Sequence, residues 1–186
     1  MKTYEEIEHY VKSKLSEKRF YHSKCVEERC RELAKIYNID EEKAALVGIA
    51  HDIAKEMSHE EKLQYAIEKN IKIDNVERKS PELLHAAIGA KICQKEFEFT
   101  EDMIEAVASH TTGKAGMDML SKILYISDAM SADRKYEDIE QLYELAKKDI
   151  NAAILKSLNK TIELRLEKGK TIHLNTVEAR NEYLAE

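Results

Sequence analysis

Two carboxylates in this chain follow apolar segments, where a charge is costly. Ala44-Ala45-Leu46-Val47-Gly48-Ile49-Ala50 runs straight into His51-Asp52, and Ile123-Leu124-Tyr125-Ile126 leads to Ser127-Asp128. An isolated carboxylate taken from water into protein costs several kcal/mol unless something compensates it. A lysine partner or a helix cap would account for one such aspartate. Two of them, one beside a histidine, point to a cation. The His-Asp dipeptide alone is weak: with seven His and nine Asp in 186 positions, a shuffled chain yields about 0.3 such pairs. The ordered set His22, His51-Asp52, His85, His110 and Asp128 carries more. Two imidazoles and two carboxylates neutralise a divalent ion and suit iron, manganese or zinc better than calcium or copper(I). On a six-coordinate ion they leave positions for water and a phosphate oxygen. Such an ion lowers the pKa of water and polarises phosphorus, as hydrolysis of a phosphate ester requires.

The elements that must position these residues read as helices throughout. Five glycines and one proline are too few for the turns of a sheet protein, while Ala, Leu, Glu and Lys abound. The spacing predicts an all-α fold with helices over 3–15, 22–37, 41–54, 58–69, 81–96, 101–110, 117–130, 136–167 and 175–184. Thr3 with Glu6 and Ser58 with Glu61 fit capping boxes, and Asp40 and Thr100 each precede acidic first turns. Ser80-Pro81 places proline at a first helical position. The segment 44–50 is apolar on every side and should be central. Ile139, Leu142, Tyr143, Ala146, Ile150, Ile154, Leu158 and Ile162 form one face of the long helix, read as ordinary core. Gly48, inside a helix at a cost of about 1 kcal/mol, suggests close helix packing.

Composition sets the bounds. At 186 residues, 43% apolar and 35% charged, the chain is globular and long enough for a full core. No apolar run approaches the roughly 20 residues of a membrane span. Neither a membrane partner nor a route out of the cytoplasm is expected. The net charge of −6, with both signs mixed along the chain, provides no basic field for nucleic acid. A small phosphate ligand needs only a local cluster of positive charge. Cys25, Cys30 and Cys93 lack CxxC spacing and read as free thiols without a role. His9 and His59 read as surface residues.

The order His…His-Asp…His…His…Asp resembles that of the HD-domain phosphohydrolases. The wording is similar to their YqeK branch, the symmetrical bis(nucleosyl)-tetraphosphatases. The matching stretches are Arg19-Phe20-Tyr21-His22-Ser23-Lys24-Cys25-Val26, His51-Asp52-Ile53-Ala54-Lys55, His85-Ala86-Ala87-Ile88-Gly89-Ala90, and His110-Thr111-Thr112-Gly113 with Met117. Lys122 to Asp128 and Leu174 to Asn181 complete them, so the likeness spans nearly the whole chain. It implies one helical-bundle domain, with the family core over about 18–135 and helices over 136–186 packed on it. It also implies cleavage of diadenosine tetraphosphate to two ADP by a metal-bound water. By position, His22, His51, Asp52 and Asp128 match the metal ligands. The ion implied is iron, with manganese, zinc, nickel or cobalt as alternatives. His85 and His110 match residues facing the phosphates, or a second metal, and with Asp52 they are the expected catalytic groups. Arg19, Lys24, Lys55, Arg134, Thr171, His173 and Thr176 are expected on the substrate side, the last three in a loop that closes over the nucleotide.

The sequence departs from the family pattern at two places. Met130-Ser131-Ala132-Asp133-Arg134 stands where Ile-Glu-Pro, a variable residue and Arg are usual, and Lys24-Cys25 stands for Leu-Gly. Neither touches a proposed ligand. Two other readings stay open: a nucleotide phosphatase or alarmone hydrolase with the same metal chemistry, and a non-catalytic nucleotide-binding module. A homodimer is also left open.

Overall fold

The protein is described by a computed structural model over residues 1–133 and 138–185. Among these residues there is no strand. Helices α1 (Tyr4–Lys14), α2 (Glu17–Ile36), α3 (Glu41–Ala50) and α4 (His59–Glu68) are followed by a short α5 (Asn75–Lys79). Then come α6 (His85–Ile92), α7 (Glu101–Ser109), α8 (Met119–Ala129), α9 (Ile139–Lys148), α10 (Ile150–Glu167) and α11 (Leu174–Ala185). No helix among the described residues is long and apolar enough to cross a membrane.

The helix starts follow local chemistry. Thr3/Glu6 and Ser58/Glu61 form full capping boxes, and Asp40 accepts from Glu42 N and Lys43 N. Thr100 makes no such bond, because its hydroxyl donates to Asp102 instead. Four helix boundaries differ from the sequence reading. α2 begins at Glu17, capped by Ser16, so His22 lies inside the helix rather than at its start. α3 ends at Ala50, and hydrogen-bonded turns carry the chain from His51 to Met57. The stretch 81–96 is a 3-10 turn (Pro81–Leu84), then α6, then a π turn (Cys93–Phe97). The long helix over 136–167 is two: Asp149 leaves helical geometry and caps α10 by accepting from Ala152 N.

Every residue of α3 from Ala44 to Ala50 is buried. One apolar core joins Ile7 and Val11 on α1 to Ala179 and Tyr183 on α11, with α3 and α8 at its centre. A smaller cluster of Ala54, Leu84 and Ile88 lies against residues of α4. α2 crosses α3 at Gly48, where an added Cβ would sit 2.7 Å from Glu27 Cα. The absence of a side chain there brings the helix of His22 against the helix that ends at His51, as the buried glycine suggested.

Candidate metal centre

Three helices end at one place. His51 is the C-cap of α3, His110 is the C-cap of α7, and Asp128 is one residue from the end of α8. Helix C-termini carry partial negative charge and leave carbonyls unpaired, so together they favour a cation. α6 starts at His85, and α2 contributes His22 from its second turn.

Three of the histidines are oriented by the same device. His51 Nδ1 donates to Gly48 O at 2.8 Å, His110 Nδ1 donates to Val107 O at 2.7 Å, and His85 Nδ1 donates to Glu82 O. Each acceptor is the carbonyl three residues back, at the end of a helical turn. A carbonyl can only accept, so Nδ1 carries a proton in each, and in the neutral ring Nε2 presents a lone pair inward.

Those lone pairs converge on Asp52, which is 1% exposed. Oδ1 is 3.2 Å from His85 Nε2 and 3.6 Å from His110 Nε2, and Oδ2 is 3.5 Å from His51 Nε2. His51 Nε2 and Asp52 Oδ1 have no partner of hydrogen-bond geometry. His85 Nε2 and His110 Nε2 stand 3.1 Å apart, with Thr111 Oγ1 3.1 Å from both. Buried acceptors facing acceptors repel unless a cation or a proton lies among them. The remaining expected ligands complete the cluster: His22 Nε2 is 3.1 Å from Asp128 Oδ1 and 3.9 Å from Asp52 Oδ2. Donor atoms of His22, His51 and Asp128 lie within 4.8 Å of one another, as do those of His51, Asp52 and His110. This donor set fits a divalent ion.

The electrostatics agree. Burial would raise the Asp52 carboxyl, but His51, His110 and His85 outweigh it and hold it well below its ordinary value. Burial opposes charge on His51, yet Asp52 and Asp128 raise it above the usual imidazole value. Burial pushes His85 down to about 4, so that ring stays uncharged at neutral pH.

The substrate-side expectations fare unevenly. Lys55 Nζ is 3.1 Å from His85 Nε2 and 3.6 Å from Asp52 Oδ1. Arg19 reaches the site but pairs with Asp52 Oδ2 at 2.9 Å, so it stands against an expected metal ligand. Lys24 is not aimed at substrate: its ammonium is held by Tyr4, Glu8 and Glu27. Thr171 and His173 turn toward Ser80 and Asp74, at 3.3 and 3.2 Å, rather than into the site. Thr176 donates to Thr112 O at 2.8 Å and ties the start of α11 to the loop after His110. Arg134 lies outside the described residues. His9 and His59 are exposed.

Residues that sequence reasoning missed complete the site. Asp133 and Ser131 contact the outer nitrogen of His22. Lys62, 3% exposed, donates to Lys55 O and Met57 O and so ties off the turn that carries His51, Asp52 and Lys55. A cavity of about 750 Å³ opens beside His110, Thr111 and Asp128. Lys55, Lys156 and Lys160 line it together with Asp128, Asp138 and Glu163, while Ile139, Leu142 and Leu155 give it an apolar wall. Ile139 and Leu142, read from the sequence as core, pack against it and also line the cavity. The helical period marked an apolar face, and nothing in it distinguished a covered face from a cavity wall.

The sequence pattern of the HD domain matches residues 19–133. A symmetrical bis(5'-nucleosyl)-tetraphosphatase of Halalkalibacterium halodurans is 35% identical over 177 residues, which are 95% of this chain and 94% of that protein. One of the same description from Bacillus subtilis is 31% identical, over 89% of each chain. The crystal structure of a predicted HD superfamily hydrolase involved in NAD metabolism from Clostridium acetobutylicum superposes with a TM-score of 0.96. It shares 34% identity and covers 100% of this chain and 98% of its own. With that match running from Arg19 through His51-Asp52 to Asp133, the chain belongs to the HD-domain family.

Proposed function

We propose that this chain is a symmetrical dinucleoside tetraphosphate hydrolase, which adds water to diadenosine tetraphosphate and releases two ADP. The observation that carries the reading is the convergence of inward-facing imidazole nitrogens on the buried carboxylate of Asp52, an arrangement that calls for a cation. The relatives from Halalkalibacterium and Bacillus, both named as symmetrical tetraphosphatases, support the substrate.

His22, His51, Asp52 and Asp128 would hold the ion, with iron as the proposed metal and His85 and His110 as the place for a second. The ion would supply a Lewis acid and a water of lowered pKa. The chain's own groups do the rest. Lys55 presents an ammonium beside His85, where phosphate charge must be offset. Thr111 provides a hydroxyl between the two imidazoles. His85, kept uncharged by burial, presents a proton acceptor at Nε2. The cavity is of the size that takes a small organic ligand. Its lysines suit a polyphosphate and its Ile139–Leu142–Leu155 wall suits a base.

Purified protein is incubated with diadenosine tetraphosphate and ferrous iron under reducing conditions, and the products are separated. ADP alone is expected. ATP plus AMP contradicts symmetric cleavage, and no turnover with any divalent metal contradicts the substrate.

A further inference from the structure

His22 differs from the other site histidines in how its outer nitrogen is satisfied. His51, His85 and His110 each use a carbonyl left free at the end of a helical turn. His22 lies in the second turn of the 20-residue α2, where the preceding carbonyls are already bonded within the helix. Its Nδ1 needs an acceptor from elsewhere. Asp133, 111 residues away, supplies one: Oδ1 and Oδ2 lie 2.9 and 3.0 Å from Nδ1. Ser131 Oγ, 3.3 Å from the same nitrogen, donates to Asp133 Oδ1 at 2.7 Å.

We infer that Asp133 is a positioning residue for the metal centre, fixing the His22 proton on Nδ1 and so dedicating Nε2 to the ion. The inference rests on the metal reading above. A carboxylate behind a ligating imidazole fixes its tautomer and ring orientation and makes the ligating nitrogen more basic. Here it also pins the segment after α8, which carries Asp128, to the helix of His22. Two ligands from separate helices are thus held at one spacing before any ion arrives. Ser131 holds the carboxylate in place, because its hydroxyl donates to the oxygen nearest the ring.

The test uses the full chain with Asp133→Ala, Asp133→Asn and Asp133→Glu. Manganese affinity is measured by competition with a chelator. The His22 Nδ1–H resonance of metal-free protein is followed by NMR, and thermal unfolding of the metal-free forms reports the fold. Asp133→Ala is expected to weaken manganese binding about 10–100-fold. The Nδ1–H signal should move upfield from its carboxylate-bonded position while the melting transition stays cooperative. Asp133→Glu should restore most of the affinity, and Asp133→Asn should fall between. An Asp133→Ala protein that binds manganese as tightly as the parent, or keeps the Nδ1–H signal unmoved, overturns the inference. So does an affinity loss that Asp133→Glu does not rescue. A parent that binds no manganese refutes the metal reading instead, and the ring resonance then decides the role of Asp133 by itself.

Discussion

His22 Nε2 and Asp128 Oδ1, 106 residues apart in the chain, meet at 3.1 Å. Had they been far apart, no single ion could have joined them, and the hydrolytic reading would have failed. The contact joins α2 to α8 beside the buried 44–50 stretch of α3, and Asp52 Oδ2 lies 3.9 Å from His22 Nε2.

Removing Asp52 should abolish the centre. It touches His22, His51, His85, His110, Lys55 and Arg19, and so ties together most of the cluster. Asp52→Ala is expected to lower turnover by more than about 100-fold, beyond the loss typical of an outer-sphere partner. Metal analysis should show the ion lost with it. A variant with full metal content and full rate would refute the assignment.

Gly48→Ala should destabilise, against its helix propensity. Alanine is favoured over glycine by about 1 kcal/mol in a helix. Here, however, its Cβ would meet Glu27 Cα at 2.7 Å, which is backbone and cannot turn aside. A net loss of about 1–3 kcal/mol is expected. It should come with weaker metal binding, because α2 and α3 carry His22 and His51. Denaturant unfolding of the metal-free protein measures the first effect, and chelator competition the second.

Lys62→Met tests the turn after α3. The ammonium, 3% exposed, satisfies Lys55 O and Met57 O, and methionine leaves both carbonyls without it. A cost of about 1–3 kcal/mol follows from such unpaired buried groups. Activity should fall as well, because this turn aims Asp52 and Lys55. Unchanged stability would mean that the ammonium does not hold the turn.

Acid should weaken the contact between α1 and α2. Burial would raise the Glu27 carboxyl, but Lys24, Tyr4 and Arg31 outweigh it and hold it below its ordinary 4.5. A folded-state value below the unfolded one gives stability that is fully present above about pH 4.5 and lost as pH falls through the folded value. Thermal unfolding from pH 7 down to pH 3 should therefore fall more steeply for the parent than for Glu27→Gln. Parallel curves would contradict this.

Much of the site was legible because its residues stand at helix boundaries that sequence chemistry marks. The apolar run ending at His51-Asp52 predicted a buried carboxylate, and Asp52 is 1% exposed. What escaped notice depends on tertiary neighbours. Asp133 falls at the variable position before Arg134, and the sequence does not say that its carboxylate folds back onto His22. Lys24, in the stretch around His22, is expected on the substrate side, yet three partners on α1 and α2 claim it. The break at Asp149 was hidden because the helical period continues in register across it. Only the extended backbone there, φ −149°, separates α9 from α10.

The central claim is that four side chains hold one divalent ion, and metal analysis of freshly purified protein tests it most directly. The parent should carry about one equivalent of a divalent transition metal, or take it up on titration, while folded His51→Ala and Asp128→Ala proteins should not. A parent that stays metal-free at saturating iron, manganese and zinc, or variants that retain the full complement, would contradict it.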